Sequence, residues 1–167
     1  MHNNINNTYL VDKKEMYKLL TSQMKALLEG ETNTIANLAN ASALLNDALG
    51  DINWVGFYLI ENGELVLGPF QGKVACVRIA VGKGVCGTAV KENATQLVAD
   101  VHDFPGHIAC DSESNSELVV PLRHQGEVVG VIDIDSPQIG RFDRLDAEEF
   151  EKIALIIEES CQWNRKQ

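Results

Sequence analysis

Apolar residues recur three and four apart at Met16, Leu19, Leu20, Met24, Leu27 and Leu28, then stop before Gly30. That period predicts a helix with one apolar stripe, and a glycine just past the stripe suits its end. Ile35, Leu38, Leu44, Leu45 and Leu49 repeat the pattern up to Gly50, with Thr32 or Thr34 as the cap. From Trp54 the pattern changes. Trp54-Val55-Gly56-Phe57-Tyr58-Leu59-Ile60 is aromatic and β-branched, Asn62-Gly63 is a two-residue hairpin turn, and Glu64 to Phe70 returns. A second hairpin runs from Glu117 to Arg123, turns at Gln125-Gly126, and returns from Glu127 to Asp135. Between the hairpins lie a strand candidate at Lys73 to Ala80, a glycine-rich entry to a helix at Gly84 to Glu92, and a short strand at Gln96 to Ala99. Leu145 to Ile157 forms a last helix that starts near Asp143 or Asp146. Hairpins with flanking helices, and no regular strand–helix alternation, mean an α+β fold. The expectation is one domain over residues 1–167, a central antiparallel sheet flanked by N- and C-terminal helices, with residues 1–9 as a flexible N-terminus.

Composition narrows the function. A chain of 167 residues buries about 70% of its unfolded surface without a staple. Four cysteines are too few for a disulfide framework, and the polar, Asn-rich N-terminus has no apolar run, so the expected compartment is the reducing cytoplasm. No window approaches the roughly 18 uninterrupted apolar residues of a membrane span. A formal charge of -10 and a pI near 4.8 disfavour nucleic acid and anionic membrane, which reward clustered Lys and Arg. A small substrate or a protein partner remains.

Thiols are the candidate chemistry. Cys76 alternates with Val74 and Arg78 on its expected strand, and alone reads as packing. Cys86, in Gly84-Val85-Cys86-Gly87, enters the first turn of a helix, where the dipole favours thiolate; local electrostatics make it the most acidic candidate. Cys110 lies in an irregular loop from Asp103 to Glu117, the usual setting of accessible functional groups. There His107 would assist deprotonation, while Asp111 and Glu113 oppose it. Cys161 reads as helix packing. His102, His107 and the three central cysteines lack the close-pair spacing of a zinc site, so no metal is expected. No nucleophile elbow supports a Ser-His-Asp hydrolase. Glu117 opens a strand, and Asp133 and Asp135 share one face of the next while Ile134 points to the core. Such carboxylates are ordinarily solvated strand ends; crowded together they retain a proton and bind an ammonium group.

These segments together carry a resemblance. Trp54-Val55-Gly56-Phe57-Tyr58, Leu67-Gly68-Pro69-Phe70-Gln71-Gly72, Cys76 with Cys86, Phe104-Pro105-Gly106-His107-Ile108-Ala109-Cys110-Asp111, Ser114-Asn115-Ser116-Glu117 and Ile132-Asp133-Ile134-Asp135-Ser136 resemble the free methionine-R-sulfoxide reductase family, single-domain members of the GAF fold. The match spans a little over half of the chain. It implies an enzyme that reduces the R-sulfoxide of free methionine, with Cys110 rather than Cys86 as nucleophile. It further implies Cys76 as resolving thiol, Cys86 as a second or alternate one, and thioredoxin as external reductant, with no bound cofactor. Glu117 would donate the proton, Asp133 and Asp135 would hold the substrate ammonium, and Trp54 and Tyr58 would enclose the sulfur. GAF folds often pair through terminal helices, so a homodimer is open. The alternatives are a non-catalytic GAF module that binds a small ligand, and a redox sensor that uses the same cysteines.

Overall fold

The computed structural model describes residues 2–108 and 111–163, without the side chains of residues 2–11. Two helices lead, α1 (His2–Leu28) and α2 (Thr34–Ala48). The N-cap of α2 is Asn33, not either threonine: its side chain accepts from the Ala36 amide at 2.9 Å, satisfying one of the free first-turn donors. Strands β1 (Trp54–Glu61) and β2 (Glu64–Gly72) form the first hairpin, and β5 (Ser116–His124) and β6 (Glu127–Ser136) the second. Both turns hold two residues in the left-handed region, Asn62 and Gly63 at φ 50° and 84°, Gln125 and Gly126 at 54° and 82°. That is the twist that joins antiparallel strands across two residues. Between the hairpins come β3 (Arg78–Ala80), α3 (Gly84–Glu92), β4 (Gln96–Val98) and a single 3-10 turn at Val101–Asp103. Helix α4 (Arg144–Ser160) follows.

The α+β expectation holds: six strands form one antiparallel sheet in the order β3-β2-β1-β6-β5-β4. Helix α1 starts at His2 and so runs through the segment expected to be flexible. The strand expected from Lys73 contracts to β3, which leaves Cys76 in the connecting segment. Side chains take the place of the ladder there. The Trp54 indole donates to the Lys73 carbonyl at 3.1 Å and the Tyr58 hydroxyl to the Cys76 carbonyl at 2.8 Å.

Each face of the sheet has its own apolar core. Helices α1, α2 and α4 cover one with Tyr17, Leu38, Phe57, Ile132, Ile134 and Phe150. The other face, under α3 and the loops, carries Trp54, Tyr58, Val85, Cys86, Val119 and Val131. Helix α3 reaches β3 because residue 87 is glycine: a Cβ there would lie 2.4 Å from the Ala80 carbonyl oxygen.

One buried polar cluster ties the ends together. Asp143 and Asp146 form a capping box at the start of α4. Asp146, fully buried, also accepts from Lys13 Nζ at 2.7 Å and from the Tyr17 hydroxyl, with Arg141 Nη1 at 3.8 Å. Lys13 also pairs with half-exposed Asp143 at 3.0 Å, so losing Asp146 takes away its buried partner and the acceptor of the Tyr17 hydroxyl while Asp143 remains. Asp146→Ala is therefore expected to cost about 3 kcal/mol in urea unfolding, the low end for a broken buried pair, against about 1 kcal/mol for loss of a cap alone. A loss near the smaller value would show that Lys13 contributes nothing beyond the cap.

Candidate active site

The ladders fix the site. Trp54 faces Asp135 across β1–β6, and Glu117 faces Asp135 across β5–β6, so these three stand in one row. In the next row Asp133 lies between Gly56 and Val119. Side chains alternate along a strand, so all three carboxyls rise from the face that α3 covers. Above them Cys86 Sγ lies 3.9 Å from Glu117 Oε1. A cleft open to solvent lies between Trp54, Tyr58, Val74, Ile79, Cys86 and Ile108.

The rim is tied by polar contacts. Asn53, one residue before β1, donates to Asp111 Oδ2 at 3.1 Å and to Ser114 Oγ at 3.0 Å. Lys73 pairs with Glu113 at 2.7 Å, a solvent-exposed link between the segment before Cys76 and the loop after residue 110. Trp54 stacks between Tyr58 and Phe70, with ring centroids at 5.9 and 5.1 Å. Cys76 is disulfide-bonded. Cys110 lies outside the described residues.

A GAF domain family model matches residues 25–158. The free methionine-R-sulfoxide reductase of Escherichia coli is 54% identical over 148 residues, covering 89% of this chain and 90% of that protein. The chain belongs to the free methionine-R-sulfoxide reductase family of GAF domains. The reduced-form structure of fRMsr of Staphylococcus aureus is 59% identical, with a TM-score of 0.85 over 86% of this chain and 94% of that one. A free methionine-R-sulfoxide reductase from Neisseria meningitidis, solved in complex with its substrate, is 46% identical, with a TM-score of 0.84 over 86% and 87%.

In this member of the reductase family, burial dominates the electrostatics of the cleft. Glu117 and Asp133 are each 6% exposed, and none of the cleft-lining residues is Lys or Arg. Burial, then the neighbouring Asp133 and Asp135 charges, push the Glu117 carboxyl well above the usual range. Burial likewise raises Asp133 and, with the Asp133 charge, Asp135. The contact between Glu117 and Asp133 pushes the Glu117 carboxyl further up and partly opposes the rise that burial gives Asp133.

Cys86 corrects the local reading. It sits in the first turn of α3, as expected, but burial and the Asp133 and Glu117 charges push its thiol well up. A short helix's dipole is outweighed by full desolvation among three carboxylates. His107 points inward, its Nε2 3.9 Å from Glu117 Oε2, and burial lowers its pKa, which keeps the ring neutral. Cys161 packs in the opposite core, as its helical position suggested. Asn53 went unnoticed in the sequence, and Ser114 entered only as part of the Ser114-Asn115-Ser116-Glu117 motif without a role; a lone Asn before a strand carries no signal until the loop is seen folded over it.

Raised carboxyl pKa values have a stability consequence. The folded state binds protons that the unfolded chain has released, so stability is full below the ordinary carboxylate range and falls as pH climbs through the raised values. Asp135→Asn is expected to flatten the decline in melting temperature between about pH 5 and pH 8, gaining most at the alkaline end. An equal gain at both ends would show that Asp135 does not titrate in this window.

Proposed function

We propose that the chain reduces free L-methionine-R-sulfoxide to L-methionine. The observation that carries this reading is the cluster of Glu117, Asp133 and Asp135 beside Trp54 and Tyr58 in a cleft lined by no Lys or Arg among the described residues, where burial pushes Glu117 toward the protonated form. Sulfoxide oxygen leaves only when protonated, and the zwitterionic substrate brings an ammonium group that the acidic cleft lacks. Asp133, whose buried Oδ1 has no hydrogen-bond partner, and Asp135 hold that ammonium. Trp54 and Tyr58 enclose the sulfur and its methyl, where cationic character develops against aromatic faces.

In this mechanism the Cys110 thiolate attacks the sulfoxide sulfur, and Glu117 gives its proton to the oxygen. The oxygen passes from the substrate sulfur to the Cys110 sulfur as the sulfur–sulfur bond formed in the attack breaks, so methionine departs and Cys110 is left as a sulfenic acid. The Cys76 thiol then forms a disulfide with Cys110 and water leaves. Two electrons and two protons from the thioredoxin dithiol restore the pair, with no bound cofactor. The high pKa of buried Cys86 makes it a poor attacking thiol, which favours Cys76 as the resolver. Cytoplasmic residence fits this reductant supply.

The assay is thioredoxin-coupled NADPH oxidation with each sulfoxide diastereomer of free methionine. Consumption is expected with the R form alone; none with the R form sinks the reading in favour of a ligand-binding or signalling module. Cys110→Ser is expected to release no methionine even in a single turnover, whereas Cys76→Ser releases one equivalent and stalls. Glu117→Gln, which keeps the shape and removes the acid, is expected to lower kcat by about 10²–10⁴-fold. A normal kcat in that variant would move the proton donor elsewhere.

A further inference from the structure

The carboxylate cluster has a second chemical capability. Cys86 Sγ and one carboxylate oxygen each from Glu117 and Asp133 all lie within 4.8 Å of one another, and the three residues are 3%, 6% and 6% exposed. Asp133 Oδ1 is buried and no described protein group donates to it, so one ligand atom is already desolvated. The Sγ to Oε1 separation of 3.9 Å is close to the roughly 3.5 Å that sulfur and oxygen ligands span around tetrahedral zinc at its ordinary bond lengths. No Lys or Arg lines the cleft to neutralise these groups.

We propose that Cys86, Glu117 and Asp133 form a three-ligand site for a borderline divalent cation, Zn²⁺ or Co²⁺, in the floor of the cleft. All three residues line the cleft, which leaves a fourth ligand to come from water or from a cleft molecule. One thiolate with two carboxylates selects this class of ion over Mg²⁺ or Ca²⁺, whose sites are built from oxygen alone. All three ligands must lose protons, so binding strengthens as pH rises. The other ionisable groups facing the cleft among the described residues are Asp111, Asp135, Tyr58 and His107; the two aspartates add to the attraction, and His107 Nε2 lies 3.9 Å from Glu117 Oε2. A cation there occupies the space of the substrate ammonium, which makes it a competitive inhibitor. That last consequence rests on the proposed function; the site itself does not.

Cobalt tests the site without reference to activity, because a thiolate bound to Co²⁺ gives a near-ultraviolet charge-transfer band. Protein prepared with Cys76 in its disulfide is titrated with Co²⁺ at pH 8. The expected result is a one-to-one band that Zn²⁺ displaces, that weakens at least tenfold in apparent affinity at pH 6, and that is absent in Cys86→Ser but retained in Cys161→Ser. Asp133→Asn keeps the thiol and is expected to weaken binding at least tenfold, which serves if Cys86→Ser does not fold. No band with the intact protein, or a band that survives in folded Cys86→Ser, overturns the site. Displacement of cobalt by free methionine-R-sulfoxide supports the competition; a band indifferent to saturating substrate overturns the competition while leaving the metal site standing.

Discussion

The ladder that pairs β6 with β1 on one side and β5 on the other puts Glu117, Asp135 and Trp54 in a single row and Asp133 in the next. A shift of one residue in either pairing would turn all the β6 acids toward the helices and Ile132 and Ile134 toward the cleft. The apolar core under α1, α2 and α4, to which both isoleucines belong, forbids that shift. Hydrophobic packing on one face of the sheet therefore holds the acids in place on the other.

Holding them there is costly, and the cost is informative. Carboxyls crowded into a cleft lined by no Lys or Arg among the described residues shift toward the protonated form, Glu117 and Asp133 through deep burial and half-buried Asp135 through burial and the Asp133 charge. The same groups on the solvent side would stay ionised. The same desolvation that equips Glu117 to donate a proton suppresses ionisation of Cys86, so the cluster assigns different chemistry to neighbouring groups through burial alone.

The opposite face supplies the rigidity. Asp146 joins α4 to Lys13 and Tyr17 of α1, closing the layer of helices over the sheet, while the site face is closed by shorter elements: one nine-residue helix, two three-residue strands and loops pinned by Asn53 and Lys73. The cleft opens where regular structure is sparse, at the strand ends where loops from distant parts of the chain converge.

Local pattern was enough for most elements. Both hairpins were legible because Asn62-Gly63 and Gln125-Gly126 meet a backbone requirement that few other pairs meet, and α3 was legible from its glycine-rich entry. The alternation of Asp133, Ile134 and Asp135 already placed two acids on one face, and motif resemblance assigned the chemistry. Where tertiary contacts replaced local ones, the sequence misled. The segment around Cys76 alternates like a strand but hangs from Trp54 and Tyr58 side chains instead, and the helix-start argument for an acidic Cys86 could not include carboxylates brought from residues 117 and 133. Periodicity and turn chemistry depend on neighbours along the chain and so belong to the sequence; pKa depends on which charges share a dry space, and only the folded sheet decides that.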